Sequence, residues 1–254
     1  MKKMFKISLG VLIIGIVLMI VGFAGHGVKN IYFKGTMPTV EHRTTKNLAG
    51  NKEFKELDLN VPCSNVLIKT GKRFAVNYQG SNGRVPKVKL TGQTLTVNQD
   101  DGHGTFFTFD DGDDTLIITV PKGAILSGKI EMVDGDLDIS NVDLTNMDIN
   151  DADGDVTYNK LAVEGGMTTL GQGDFTSHGV TFKGHYTVKT DDGDNKVIAS
   201  HADGFILHTV DGDNKLDGVD HGSEDLQQNT SAANLLRLET TDGDNSVINI
   251  KAVE

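Results

Sequence analysis

Glycine next to aspartate recurs along the second half of the chain at a near-constant interval. The first five of these glycines are separated by 19, 19, 20 and 19 residues, and the sixth follows after 31. All six are followed by aspartate, and five are preceded by it, the exception being Gln172. Such regularity indicates a repeated structural unit that carries a carboxylate pair in five of its six copies. The six glycines are Gly135, Gly154, Gly173, Gly193, Gly212 and Gly243.

Calcium binding is the chemistry that such carboxylate pairs favour. Aspartates stacked about 4.8 Å apart repel by about 0.9 kcal/mol per pair even in water, and Ca²⁺, which prefers oxygen ligands, would relieve that repulsion. The unit matches neither the EF-hand loop nor the glycine-rich nonapeptide of calcium-binding β-rolls. No other cofactor is expected. The candidate calcium ligands are Asp134, Asp136, Asp153, Asp155, Asp192, Asp194, Asp211, Asp213, Asp242 and Asp244.

A structural role for the same residues is the main expectation, with calcium as the alternative. A tight corner often needs a positive φ, which glycine adopts without strain. Aspartate accepts hydrogen bonds from backbone N–H groups two residues further on and so closes a turn. The six glycines are therefore predicted to be turn glycines.

Histidine forms the other recurring pattern. His178 and His201 each follow a serine, and each precedes another histidine, His185 or His208, by seven residues. Four imidazoles could bind a transition metal or respond to pH. Their positions relative to the nearest glycine differ between the two units, which favours exposed strand and turn histidines instead.

Catalytic motifs are missing from the sequence. It contains no G-x-S-x-G, no P-loop and no dinucleotide fingerprint. Paired carboxylates of the glycosidase kind have no specificity in residues 131–254, which hold 25 acidic residues. A polysaccharide lyase would need basic residues, and that region holds seven. We therefore expect no catalytic residue and no enzyme, with a carbohydrate-active enzyme as the least favoured alternative.

The repeat period predicts an all-β fold, a β-solenoid of roughly 19-residue coils over residues 131–254. Apolar residues alternate in short pairs such as Leu137/Ile139, which gives about three short strands per period, and 19 residues at roughly 3.3 Å trace a perimeter of about 63 Å. A meander of hairpins is the rival, but stacked coils demand the equal intervals seen here. A polar loop near 217–229 leaves one coil, and the last coil, ending near Ile250, is expected at an edge.

The N-terminal segment predicts a membrane anchor. Residues 7–24 are uncharged and apolar, and eighteen residues make about 27 Å of helix, enough to cross a hydrocarbon core. Three lysines in residues 1–6 keep that end in the cytoplasm and send the rest outward. A cleaved signal peptide is the alternative, because small residues surround Ala24. Residues 25–50 resemble a juxtamembrane linker, and residues 51–130 an N-terminal β region that caps the solenoid.

Charge is distributed unevenly along the chain. Residues 1–30, 31–130 and 131–254 carry net charges of +4, +3 and −18, which together give −11. A segment at −18 is repelled by nucleic acid, so no nucleic-acid partner is expected. Cys63 is the single cysteine and has no internal disulfide partner.

Three features together resemble a known family: the lysine-led anchor, the segment L-I-I-T-V-P-K-G at Leu116–Gly123, and the recurring D-G-D units. The chain is similar to the putative-adhesin β-strand-repeat family of bacterial cell-envelope proteins, which includes LiaG-like proteins of Gram-positive bacteria. Members often carry S-G-D where this chain has D-G-D. The resemblance implies an outward-facing solenoid without established catalysis, and it transfers no binding residues.

The sequence thus predicts a non-enzymatic, single-pass membrane protein whose extracytoplasmic repeat domain serves as an interaction or structural module of the cell envelope. Its expected partners are the membrane, through the N-terminal helix, and an envelope protein or glycan. The alternative is a calcium-dependent module that binds surface glycans or other cells.

Overall fold

The computed structural model describes residues 2–24, 31–34, 37–100, 105–107 and 112–249. The chain divides into two compact parts, residues 1–42 with 103–112 and residues 43–102 with 113–254. The first part holds one helix and a small sheet, and the second holds two large sheets.

Regular structure begins with helix α1, Lys2–Ala24. The strands up to the repeats are β1 Ile31–Lys34, β2 Met37–Val40, β3 Arg43–Gly50, β4 Glu56–Val61, β5 Asn65–Gly71, β6 Ala75–Ser81, β7 Lys87–Thr91, β8 Thr94–Asn98, β9 Thr105–Phe107 and β10 Thr115–Pro121. The strands of the repeats are β11 Ile125–Asp134, β12 Leu137–Ser140, β13 Asp143–Asp153, β14 Val156–Asn159, β15 Ala162–Gln172, β16 Phe175–His178, β17 Thr181–Lys183, β18 His185–Asp192, β19 Asn195–Ser200, β20 Gly204–Asp211, β21 Asn214–Leu216, β22 Val219–Asp220, β23 Leu226–Gln228, β24 Leu235–Asp242 and β25 Asn245–Asn249.

Helix α1 includes the predicted apolar segment 7–24. Its span Met4–Gly22 is long and apolar enough to cross a membrane, judged by length and composition. In the same part of the chain, β1 pairs antiparallel with β2 and with β9. In the other part, β3 pairs with β6, and its Leu48 and Ala49 pack against the core. Residues 43–50 therefore differ from the linker expected there, because two apolar side chains tie them to the sheet.

Two sheets built mainly from parallel strands make up the second part. One runs in the order β22-β21-β25-β19-β16-β14-β12-β5-β10-β6-β3 and contains the short strands of the repeats. The other runs β23-β20-β24-β18-β15-β13-β11-β4-β8-β7 and contains the long strands. A repeat is one long strand, a D-G-D corner and the next short strand. Repeats 1 to 6 are β11–β12, β13–β14, β15–β16, β18–β19, β20–β21 and β24–β25.

Neighbouring repeats pair in the register that the period predicts, with Asp134 opposite Asp153 and Leu137 opposite Val156. The predicted apolar pairs face inward, as Leu137 and Ile139 are completely buried. The long strands of the first three repeats contain residues with positive φ, such as Gly128 and Asn146. Each of these three strands carries two of the three short apolar runs expected per period, whereas β18, β20 and β24 are shorter.

The order of the repeats in the stack is not their order in the chain. Repeats 1 to 4 follow one another, but β24 lies between β18 and β20, and β25 lies between β19 and β21. Repeat 6 is thus interleaved between repeats 4 and 5. The expectation that the last coil forms an edge is wrong. Repeat 5 occupies that end, where β22 and β23, both within residues 217–229, pair antiparallel against it.

Candidate functional site

The D-G-D corners stack into one column, and two features of that column require glycine. Five of the six have positive φ, between 114° at Gly173 and 154° at Gly212, and Gly154 does not belong to this group. In addition, a Cβ at Gly154 would collide with the backbone carbonyl of Gly135. The same collision recurs between successive corners throughout the column. The turn prediction identified the first reason and missed the second, which is the close approach of stacked backbones.

The aspartate that follows each glycine links its repeat to the next one. Its Oδ1 accepts a hydrogen bond from the backbone N–H of the corresponding aspartate in the neighbouring repeat, over 2.7–3.1 Å. Asn65 begins this ladder by accepting from Asp136 N–H at 2.9 Å. In stacking order the ladder is Asn65, Asp136, Asp155, Asp174, Asp194, Asp244 and Asp213. These carboxylates therefore bridge repeats instead of closing their own turns as predicted.

The aspartate that precedes each glycine contributes to the column only through its backbone. Its carbonyl accepts the N–H of a neighbouring corner glycine, as Asp153 does from Gly135 at 3.2 Å and Asp192 from Gly173 at 3.0 Å. Gln172 makes the same bond, with Gly154. Since only the backbone is used, the side chain is free to vary. Its carboxylate is exposed wherever it occurs, and this gives the column an acidic outer face.

A groove of about 370 Å³ lies along the corners of the first three repeats. Glycine backbone and carboxylates line it together, and the negative charge of the carboxylates would attract cations. Its lining residues are Asn65, Asp113, Asp134, Gly135, Asp136, Asp153, Gly154, Asp155 and Gly173.

Asp151 is buried behind this groove, with 1% of its surface exposed. It lies opposite Met132 and Leu170 in an inward-facing row, and neither carboxylate oxygen has a hydrogen-bond partner. Burial raises the pKa of Asp151 to about 6, and the charges of Asp136 and Asp153 add to the rise. The backbone N–H groups of Ala152 and Asp153 partly offset it without reaching good hydrogen-bond geometry.

Threonine stands in the corresponding position of repeats 5 and 6. Thr209 Oγ1 donates to the carbonyl of Gly243 at 2.8 Å, and Thr240 Oγ1 to that of Gly193 at 3.0 Å. The Asp151 Oδ2 atom lies beside Gly154, where a Cβ would meet both it and the carbonyl of Gly135. A protonated Asp151 would have the donor that threonine supplies in those repeats, whereas a carboxylate has none.

The electrostatic environment changes along the column. At the repeat 5 end, Lys215 Nζ lies 2.8 Å from Asp244 Oδ2 and 3.4 Å from Asp213 Oδ2. The hydrogen bond from Lys215 lowers the pKa of Asp244. Near the groove the trend reverses, because burial and then the charge of Asp136 raise the pKa of Asp138. Among the residues that the structure describes, no lysine forms an ion pair with the column carboxylates at the groove end.

The candidate calcium ligands lie along a line instead of around a common centre. Within the described residues, no three histidine, cysteine, aspartate or glutamate side chains converge in a way that would hold a metal ion. The same holds for the histidines. His208 Nδ1 lies 2.6 Å from Asp225 Oδ1, and His201 Nε2 lies 3.3 Å from Asp203 Oδ1. Calcium binding by the column stays a prediction.

Comparison with known proteins identifies the repeat region. Residues 125–250 match the sequence model of the family described as Toastrack DUF4097. No curated protein matches the chain. Similar solved structures include a putative cell adhesion protein from Clostridium sporogenes, with 12% identity over 82% of this chain and 98% of that one and a TM-score of 0.48. A putative adhesin from Bacteroides fragilis has 16% identity over 82% and 97% of the two chains and a TM-score of 0.35. A putative lipid binding protein from Parabacteroides distasonis has 10% identity over 81% and 97% and a TM-score of 0.38.

Proposed function

Because residues 125–250 form a Toastrack DUF4097 domain, we propose that the protein is a membrane-anchored, extracytoplasmic module of the bacterial cell envelope that binds a partner or supports the envelope without catalysis. The observation that carries this proposal is the continuous column of exposed carboxylates at the corners. A column whose charges recur at each strand spacing, about 4.8 Å, suits an extended cationic partner better than a compact small molecule.

The proposed architecture is a β-solenoid formed by the six repeats. It is supported by the parallel register between repeats and by the stacking of one corner on the next. Such a stack gains length by adding repeats and presents the same residue types at regular spacing. That property suits a surface that contacts a polymer.

The proposed topology places α1 in the membrane, with residues 1–6 in the cytoplasm and the repeats outside. Apolar side chains of α1 are exposed all round the helix, for example 68% at Ile7 and 70% at Met19, which suits a lipid environment. Cys63, partly exposed and the single cysteine, provides a direct test. A membrane-impermeant thiol reagent should label it in intact cells. In the control variant Lys3→Cys/Cys63→Ser, labelling should require permeabilised cells, and the opposite result would overturn the topology.

Binding through the column is tested by neutralising the aspartates that precede the glycines, since their side chains make no contribution to the ladder. The variant carries Asn at positions Asp134, Asp153, Asp192, Asp211 and Asp242. Cells that display the full chain should attach to immobilised cationic envelope polymers, and cells that display the variant should attach much less. Equal attachment by both would contradict a role for the carboxylates, and no attachment by either would contradict the binding function.

Calcium-dependent binding is the second candidate, and the buried, unpartnered Asp151 behind the acidic groove favours it. A bound cation would stabilise the folded state by mass action. The melting temperature should then rise in millimolar calcium, and the rise should shrink in the variant Asp136→Asn/Asp155→Asn, which keeps the acceptors of the ladder. An unchanged melting temperature would remove this candidate.

A further inference from the structure

The interleaved position of repeat 6 leaves a slot between repeats 4 and 5 that a repeat must fill. Strand β24 pairs in parallel with β18 on one side and with β20 on the other, over nearly its full length on both sides. Strand β25 does the same between β19 and β21. Residues 235–249 therefore pair on both sides with repeats that precede them in the sequence.

Repeats 5 and 6 present nearly the same inward-facing chemistry. Opposite positions of the long strands carry Phe205 and Leu236, Leu207 and Leu238, and Thr209 and Thr240. Opposite positions of the short strands carry Asn214 and Asn245, and Leu216 and Val247. Either repeat therefore has side chains that suit pairing with the two strands of repeat 4. When repeat 6 leaves the slot, repeat 5 can cover the exposed edge of repeat 4 without burying an unpaired polar group.

The chain around repeat 5 is arranged for this alternative. Residue 201, which leads into β20, is already bonded beside β17, the strand that precedes repeat 4, because His201 N–H donates to the carbonyl of Val180 at 2.8 Å and its carbonyl accepts from Phe182 at 2.9 Å. In the order 4-5-6, repeat 5 would fill the place next to repeat 4, and repeat 6 would take the edge of repeat 5 that β22 and β23 cover in the structure.

We propose that the slot between repeats 4 and 5 also accepts residues 235–249 of a second copy of this chain, so that two molecules exchange repeat 6. The connection between β21 and β24 covers residues 217–234, and eighteen extended residues reach up to about 60 Å, far enough to enter a neighbouring molecule. Exchange restores in the pair the strand contacts that β24 and β25 make in each single molecule, which is the general basis of low-cost domain swapping. A fully extended connection gives up the short pairs that β22 and β23 form with repeat 5. This proposal does not depend on the ligand of the acidic column.

The test uses full-length chains that carry Cys63→Ser and one new cysteine each. Lys189 and Glu239 lie opposite each other in β18 and β24, with Nζ and Oε2 3.1 Å apart. The Lys189→Cys and Glu239→Cys chains, mixed under conditions that loosen repeat 6 and then oxidised, should form a mixed disulfide that shifts the species from 27.3 kDa to twice that mass.

Two controls make the result decisive. In a mixture of Lys189→Cys with His208→Cys, the new cysteines lie in β18 and β20, which both stay in their own molecules, so exchange does not bring them within disulfide reach of each other. A single chain with both Lys189→Cys and Glu239→Cys, oxidised beforehand, should lose the ability to exchange. If every variant melts like the parent and the first mixture yields no more dimer than the His208 mixture, the proposal is overturned.

Discussion

The first three repeats and the last three share one corner and differ in what lies beneath it. In the first three, the residue that begins the short strand is apolar and buried, namely Leu137, Val156 and Phe175. In the last three it is asparagine, equally buried, namely Asn195, Asn245 and Asn214. The corner itself and its carboxylate ladder run unchanged through both halves. The corner conformation therefore depends on the outer column, and the buried side chains beneath it can be apolar or polar.

The two interiors are stabilised by different interactions. The asparagines form a chain of amide hydrogen bonds, 2.9 Å from Asn195 to Asn245 and 2.9 Å from Asn245 to Asn214. The apolar half gains its stability from burial, including the edge-to-face contact of Tyr158 with Phe175 at 5.3 Å between ring centres. Hydrogen bonds demand one register and partner geometry, whereas apolar contacts tolerate small shifts. The later repeats therefore have a chain of amide hydrogen bonds at the position where the earlier repeats carry only apolar side chains.

The largest effect is expected at the corner that both halves share. Gly173→Ala and Gly243→Ala each force a side chain into a positive-φ position and against a stacked carbonyl, and each should cost about 3–4 kcal/mol of unfolding free energy. Gly218→Ala, with positive φ but open space around it, should cost about 1–2 kcal/mol. Urea denaturation measures all three. Unequal costs at Gly173 and Gly243 would show that the corners of the two halves differ.

The next largest effect separates the two interiors. Asn245→Leu leaves its neighbours in the amide chain unpaired and also removes the bond to the His208 carbonyl at 2.8 Å, so it should cost about 3 kcal/mol. Leu137→Met, in the corresponding row of the apolar half, should cost about 1 kcal/mol. Equal losses in thermal or urea unfolding would mean that the asparagine chain adds no more than burial does.

A gain in stability is expected at Asp151, because the first half lacks there the hydroxyl donor that threonine supplies in the second half. Burial raises the pKa of Asp151 from 3.8 to about 6 in the folded state, so the folded chain binds this proton more tightly than the unfolded one. The ionised Asp151 lowers the free energy of unfolding. This loss is absent below pH 3.8 and grows as the pH rises to about 6. Asp151→Thr should therefore gain about 2–3 kcal/mol above pH 6 and little near pH 3.8.

The pH series provides its own check, because the difference between Asp151→Thr and the parent chain should itself depend on pH. Met132→Leu, in the neighbouring position of the same row, should differ from the parent by the same amount at every pH. A constant difference for Asp151→Thr would indicate that the carboxyl titrates normally despite its burial.

The smallest effect tests whether the ladder is equivalent in both halves. Asp155→Ala and Asp194→Ala each remove one acceptor for a backbone N–H and should each cost about 1 kcal/mol. Replacement by asparagine should cost almost nothing, since Asn65 already fills this role at the start of the ladder. A large loss in the asparagine variants would show that the charge, and not the acceptor, is needed.

The sequence was sufficient to predict the units and their inward faces. The 19-residue spacing placed Leu137 and Ile139 in the core and the glycines at corners, because period and alternation are local properties of a strand. It did not reveal which N–H group each aspartate binds. Local turn rules treat one unit at a time, whereas the ladder joins units. The signal that was available was the aspartate after every glycine, kept even where Gln172 replaces the one before.

The order of the repeats could not be predicted for a related reason. Repeats 5 and 6 both begin their short strands with D-G-D-N, so each satisfies the edge of repeat 4 equally well at the level of sequence. The long spacing before Gly243 predicts an excursion of the chain near 217–229, but its length alone does not say on which side the chain returns. Only the strand pairing decides that. Residues 43–50 were missed because their two apolar residues are too few to set a period.

The interleaved position of repeat 6 also affects the order in which the repeats can reach their final pairing. Repeats 1 to 4 pair with neighbours in chain order, so each can dock as soon as it has been synthesised. Repeat 5 has no such permanent place until residues 235–249 are available, because its final neighbour is made after it. The final pairing of repeat 5 with its neighbour therefore waits until the last 15 described residues, 235–249, have been made.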